Sequence, residues 1–330
     1  MLSRDANSLY WLSRYIERAE NLARLVDVKR YDALDSGRSS AESDDLAWDT
    51  LMRVTCTDEH CESFKTGDQK EDVGSFITLS ESNPDSIRQC ISNARENGRM
   101  VRDQISEEIW LELNRLHLFL RSREARNLWT RRPDAFCKEV VDFCLLFNGL
   151  IDSTILHNEG WRFVQIGKYL ERADKTTRVL DMLALVEHTD RLQIASALRS
   201  CSGFSAFRYE FKGDFNMENA VDFLLFSQSF PRSVRYCLRQ LDRQLHGISG
   251  TPEDGFSNEA ERLTGSLLAR MNYSSVESVW AQGLRDYVDS LQTQFNKIGQ
   301  EIFEIYVLLP QEFRGVVKED AWQVQWQQQQ

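Results

Sequence analysis

A chain of 330 residues, with 42% hydrophobic and 28% charged side chains, is globular in composition and long enough to bury a substantial core as one large domain or two. Its formal net charge of −11 argues against binding a phosphate backbone, because nucleic-acid binders concentrate positive charge; an acidic surface suits a soluble protein or a basic partner. No apolar run approaches the roughly 20 residues of a membrane span, the N-terminus lacks a signal-peptide layout, and seven scattered cysteines suit reduced thiols, so the expectation is a cytoplasmic protein with no membrane or nucleic-acid partner.

Five prolines and sixteen glycines are too few for the turns of an all-β chain, so helix is favoured. The first helix is expected over residues 6–31, with Ser3 or Asp5 as its N-cap. Steps of three and four place Leu12, Ile16, Ala19, Ala23 and Val26 on one core face, and Arg14, Glu17, Glu20, Arg24 and Asp27 on a polar stripe. A third stripe holds Trp11, Tyr15, Leu22 and Leu25 with Arg18 among them. A guanidinium between two apolar stripes must be paired, since an uncompensated buried charge costs roughly 3–5 kcal/mol.

Tyr15-Ile16-Glu17-Arg18-Ala19-Glu20 is written again as Tyr169-Leu170-Glu171-Arg172-Ala173-Asp174, with Arg24 and Asp27 matched by Arg178 and Asp181. The second copy has its own core face (Ile166, Leu170, Ala173, Thr177, Leu180), and Arg172 again lies between flanking residues, Tyr169 on one side and the pair Thr176 and Val179 on the other. The two copies are therefore expected to face each other and exchange partners, Arg18 with Glu171 and Arg172 with Glu17. Gly167 stands in the place of Ser13, two small residues that would allow the backbones to approach closely.

After the first helix, residues 35–45 read as a loop and 46–54 as a short helical run. Cys56-Thr57-Asp58-Glu59-His60-Cys61 holds several metal-ligand types, but a structural zinc site needs four ligands and no second cluster stands at the expected spacing, so no metal is assigned. Residues 76–91 return as 223–238 with the shared skeleton F-x-x-x-S-x-S-x-P-x-S-[IV]-R-x-C-[IL]. Two echoes at nearly the same separation imply an internally duplicated all-α bundle with approximate twofold symmetry: a first repeat over 1–150, a second over 151–324 packed with it as one domain, and a polar Gln-rich tail at 325–330. Each echoed unit reads as helix, proline turn and new helix, with Ser86 or Ser233 near the start. Capping is the commoner use of such a serine, and the free N–H groups beside it, with Arg88 or Arg235 at hand, also suit an anion.

Arg95, Arg99 and Arg102 follow at helical spacing with Glu96 and Asp103 interleaved, either a solvated ion-pair ladder or one wall of a basic groove for an acidic substrate. Trp110, Leu113, Leu116 and Leu120 carry the core stripe toward a loop at Arg131-Arg132-Pro133, and residues 135–148 form an apolar helix. Further helices are expected over 192–209, 217–229, 233–245, 260–272 and 275–306, with the clearest loop at 246–257.

The hexapeptide Y-[IL]-E-R-A-[ED], the opening Met1-Leu2-Ser3-Arg4, the run Ser92-Asn93-Ala94-Arg95-Glu96-Asn97 and Phe230-Pro231-Arg232-Ser233-Val234 together resemble the alpha-E family, bacterial all-helical domains named for a glutamate-arginine pair. Gly98 stands where alanine is expected, and Gln228 where relatives favour aspartate. The resemblance implies neighbours: circularly permuted ATP-grasp ligases, often with transglutaminase-like peptidases, and hence ATP-dependent amide or peptide synthesis with ATP and Mg²⁺ held by the ligase. Carried onto this chain, the motif residues are Glu17, Arg18, Glu171 and Arg172.

Three functions compete. The first is a subunit that docks on the ligase and holds a carboxylate, amine or phosphorylated intermediate, with Tyr15, Tyr169, Arg24, Arg178, Arg88, Arg95, Arg99, Ser233 and Arg235 as further binding candidates beside the two Glu-Arg pairs. The second is an amide-forming or amide-cleaving enzyme with Glu17 or Glu171 as general base, a role that nearby arginines handicap by lowering the carboxylate pKa. The third is a scaffold in which the charges are core ion pairs. There is no P-loop, since Gly167-Lys168 lacks the upstream glycine and the following Ser or Thr, no G-x-S-x-G, and no Glu-x-x-His of a dimetal bundle. His60, His117, His157, His188 and His246 are too dispersed to suggest a ligand set.

Overall fold

The computed structural model describes residues 1–35, 72–185 and 190–308 and the single positions 48, 51, 52, 55 and 64, and among these there is helix and no strand. In chain order the helices are α1 (Ser3–Asp35), α2 (Val73–Thr78), α3 (Ile87–Met100), α4 (Glu107–Arg121), α5 (Arg123–Arg131), α6 (Pro133–Thr154), α7 (Glu159–Ala184), α8 (Arg191–Ser200), α9 (Phe204–Glu210), α10 (Met217–Phe226), α11 (Val234–Ser249), α12 (Glu259–Asn272), α13 (Val276–Gln282) and α14 (Leu284–Phe303), followed by a π-helical turn at Glu304–Leu308. The expected loop beyond Asp35, most of the run at 46–54, the cysteine-histidine hexapeptide, His188 and the Gln-rich tail lie outside the described residues.

Helix starts follow local chemistry. Ser86, Ser106, Ser122 and Ser233 each accept a backbone N–H of the first turn of α3, α4, α5 and α11, and Asn158 does the same for α7. Several boundaries differ from the sequence expectation. The joint at Arg132-Pro133 is not a loop, because Pro133 occupies the first position of α6, where its missing N–H costs nothing. Ser122 ends α4 and caps α5, so one expected helix is two. The run at 192–209 breaks where Ser202 takes a φ of 55°, and the run at 275–306 breaks at Gly283, whose φ is 92°. The division drawn at 150/151 falls inside α6, whose last turn reaches Thr154.

Helices α1 and α7 pack along each other at the centre; α3, α6 and α8 surround α1, while α11 and α14 cover α7. Both expected core stripes, Leu12 through Val26 and Ile166 through Leu180, are buried. Each fully buried Leu or Ile contributes roughly 1.5–3 kcal/mol relative to exposure, so the pairing of these two helices anchors the bundle. No helix among the described residues is long and apolar enough to cross a membrane.

The expected close approach is present. A Cβ built on Gly167 would stand 2.3 Å from the carbonyl oxygen of Tyr10 and 3.3 Å from the Ser13 Cβ. The nearer obstacle is backbone, which cannot rotate aside as a side chain would. Gly167→Ala is expected to force α1 and α7 apart at a cost of about 1–3 kcal/mol; the check is the urea midpoint, and an unchanged midpoint would show that the helices separate freely here.

Candidate functional site

Acids and bases of α1 and α7 meet inside the bundle, and the motif residues cross between helices. Glu171, with no exposed surface, accepts Arg18 Nε at 2.8 Å and Arg14 Nε at 2.7 Å, and Lys175 Nζ lies 3.4 Å away. Glu17, 2% exposed, accepts both Nε (3.0 Å) and an amino group of Arg172, an edge-on bidentate pair. Arg232 stands 3.6 Å from Glu17 and bonds Glu20, which also receives Arg24 Nε at 2.9 Å. On the other helix Asp174 receives Arg178 Nε at 2.9 Å and Lys175 at 3.0 Å.

The two ends of this cluster differ in access to water. Arg18 turns its far nitrogen to Asp85, and these two side chains are 18% and 20% exposed. Arg172, by contrast, is 9% exposed and its remaining amino group faces the Pro231 carbonyl. Tyr15 and Tyr169 lie beside the two arginines, with ring centroids 5.7 and 5.8 Å from the guanidinium carbons. The Arg18–Asp85 edge therefore touches solvent and the Glu17–Arg172 pair is closed off, although Arg24 beyond Glu20 is again 18% exposed.

Burial alone pushes a carboxylate pKa up, but Arg172 and Arg232 outweigh it and hold Glu17 at about 2. Glu171 is likewise driven well below the ordinary carboxylate range, burial being overcome by Arg18, Arg14 and Lys175. Neither glutamate is suited to take a proton at neutral pH. The five described cysteines are buried and unpaired, and burial pushes Cys90, Cys137, Cys201 and Cys237 up to about 12, so these are not thiolate nucleophiles.

Other sequence candidates sit apart from the crossed pairs. Ser233 is the N-cap of α11. Arg235 bonds Asn272 at 2.8 Å. Arg95 bonds Asn114 and Glu96, and Arg99 bonds Glu96 at 2.9 Å, an outward ladder. Arg88 pairs with Glu81. Sequence reasoning missed Asp85 and Arg232, although the echoed turns carried the signal: each residue immediately follows the shared proline, with opposite charge in the two copies. It also passed over Arg14, because a polar stripe does not reveal which of its members point inward, and Lys175, which lies outside the stripes read from the sequence.

An all-helical bundle whose centre is two crossed Glu-Arg pairs defines the class of protein. The model of the Alpha-E family, a predicted alpha-helical domain with a conserved ER motif, matches residues 1–307, and the chain belongs to that family. It is 26% identical over 302 residues to the uncharacterized proteins Mb2597 of Mycobacterium bovis and Rv2567 of Mycobacterium tuberculosis, a match that covers 86% of this chain and 34% of each relative. The chain thus spans about a third of the length of these curated relatives. No solved structure matches it.

Glu17→Gln leaves Arg172 and Arg232 without their shared counter-charge and is expected to cost roughly 3–5 kcal/mol at neutral pH. The folded pKa of Glu17 lies below its ordinary value of 4.5, so this stabilisation is fully present above about pH 4.5 and is lost as pH falls toward about 2. Denaturant midpoints of wild type and variant should accordingly differ most near pH 7 and converge across that acid window; a gap independent of pH would contradict the assignment.

Proposed function

We propose that this chain is the binding subunit of an ATP-dependent amide- or peptide-forming system. It holds a carboxylate, amine or phosphorylated intermediate at the Arg18 end of the cluster and docks on a circularly permuted ATP-grasp ligase, which supplies ATP and Mg²⁺; a transglutaminase-like peptidase belongs to the same setting. The two motif copies are read as products of an internal doubling. One observation carries the proposal: both motif glutamates are surrounded by cations and held ionised, while Arg18 with its partner Asp85 keeps more contact with solvent than the Glu17–Arg172 pair. Such a site can position a charged group through fixed hydrogen bonds but cannot shuttle protons, which favours binding over autonomous catalysis. The relatives' length outside the matched third supports a domain that works with another.

The sealed Glu17–Arg172 pair favours a second role within the same cluster. With neither partner open to water, that pair acts as scaffold and sets the register of α1 on α7.

The two roles separate by substitution. Arg18→Met leaves Glu171 with Arg14 and Lys175, so the protein should stay folded while activity falls by at least about tenfold, the value of one charge-assisted contact. The assay is ATP-dependent amide formation by the purified chain with the ligase encoded beside it in the native host. Product is expected only when both proteins are present. Product from this chain alone would make it the enzyme, and a folded Arg18→Met protein with full activity would leave the whole cluster structural.

A further inference from the structure

A cavity of about 550 Å³ lies between the turn before α3 and α5, lined by Leu79, Glu81, Ser82, Arg88, Arg126 and Trp129 among others. Its volume is in the range that takes a small organic molecule. None of these residues belongs to the crossed Glu-Arg cluster, so the cavity is a separate feature.

Arg88 is the unusual member. It is 6% exposed, yet its Nε has no hydrogen-bond partner among the described residues. Among the described residues it forms an ion pair, through a terminal nitrogen, with Glu81, whose side chain is 66% exposed. A guanidinium edge can bind a carboxylate through Nε and a terminal nitrogen together, as Arg172 binds Glu17 in this molecule. Glu81 takes only half of that edge. Because it is mostly in solvent, it can leave at little cost.

We propose that this cavity binds the free carboxylate of a small molecule with an apolar or aromatic body. The carboxylate displaces Glu81, occupies both nitrogens of the Arg88 edge and satisfies the buried Nε. Ser82 supplies a hydroxyl and the exposed Arg126 a second positive charge in the lining, while Leu79 and Trp129 contribute apolar surface. Glu81 is then an internal competitor that occupies the site in the absence of ligand. The matching place in the second copy is not built this way: residue 228 is glutamine, and Arg235 is directed to Asn272.

The test is calorimetric titration of the full chain with three probes that share a phenyl body: hippurate, its amide hippuramide, and phenyl phosphate. Hippurate is expected to bind at least about tenfold more tightly than hippuramide, because the amide cannot form the charge-assisted pair. Glu81→Gln should tighten hippurate several-fold by removing the competitor, and Arg126→Gln, at an exposed position, should weaken it while the protein stays folded. Equal binding of acid and amide, hippurate affinity unmoved by Glu81→Gln, or no binding of hippurate to either protein would each overturn the proposal. Phenyl phosphate binding more tightly than hippurate would overturn the carboxylate assignment and make this a phosphate-ester site.

Discussion

The exchange of charge between α1 and α7 is the constraint on which the rest of the bundle rests. Both helices are covered on several sides, so the buried acids of their polar stripes, Glu17, Glu20, Glu171 and Asp174, must find partners inside the bundle. A buried ion pair adds little net stability compared with well-packed apolar residues, yet removing one partner is costly, so its effect is to penalise every arrangement except the paired one. Arg18 reaches Glu171 and Arg172 reaches Glu17 only in one register, and Gly167 against the Tyr10 backbone holds the helices close enough for both. Packing and electrostatics therefore specify the same docking, which is the agreement between levels that a unique fold requires.

A single position then makes the two ends unlike. The turn after each shared proline delivers a side chain to the rim of the cluster, an acid at Asp85 and a base at Arg232. Asp85 draws Arg18 outward, where both keep some contact with solvent. Arg232 instead turns inward to Glu17 and Glu20 and closes its end. Similar helices with similar motifs thus give one buried strut and one accessible charged edge, and the difference comes from residues outside the motif.

Much of this was legible in advance for identifiable reasons. The partner exchange could be foreseen because Arg18 and Arg172 each lie between apolar stripes, which leaves a buried guanidinium needing a carboxylate from elsewhere. Capping by Ser86 and Ser233 followed from serine just after a proline turn. The breaks at Ser122, Ser202 and Gly283 were not legible, because hydrophobic periodicity continues through a kink of one residue and does not report a change of axis. Arg14 was indistinguishable by pattern from the solvated arginines of α3, and Lys175 lay outside the stripes.

The amino-acid order by itself determined that the chain is helical, which faces are apolar, and which acids and bases need partners, since these depend on spacing along the chain. Only the tertiary structure decided which charges lie in the dry interior, that Asp85 and Arg232 complete the cluster, and that a half-satisfied Arg88 lines a cavity. Burial is the physical reason for the division: exposure belongs to what neighbouring helices cover, and no residue carries that information in its own position.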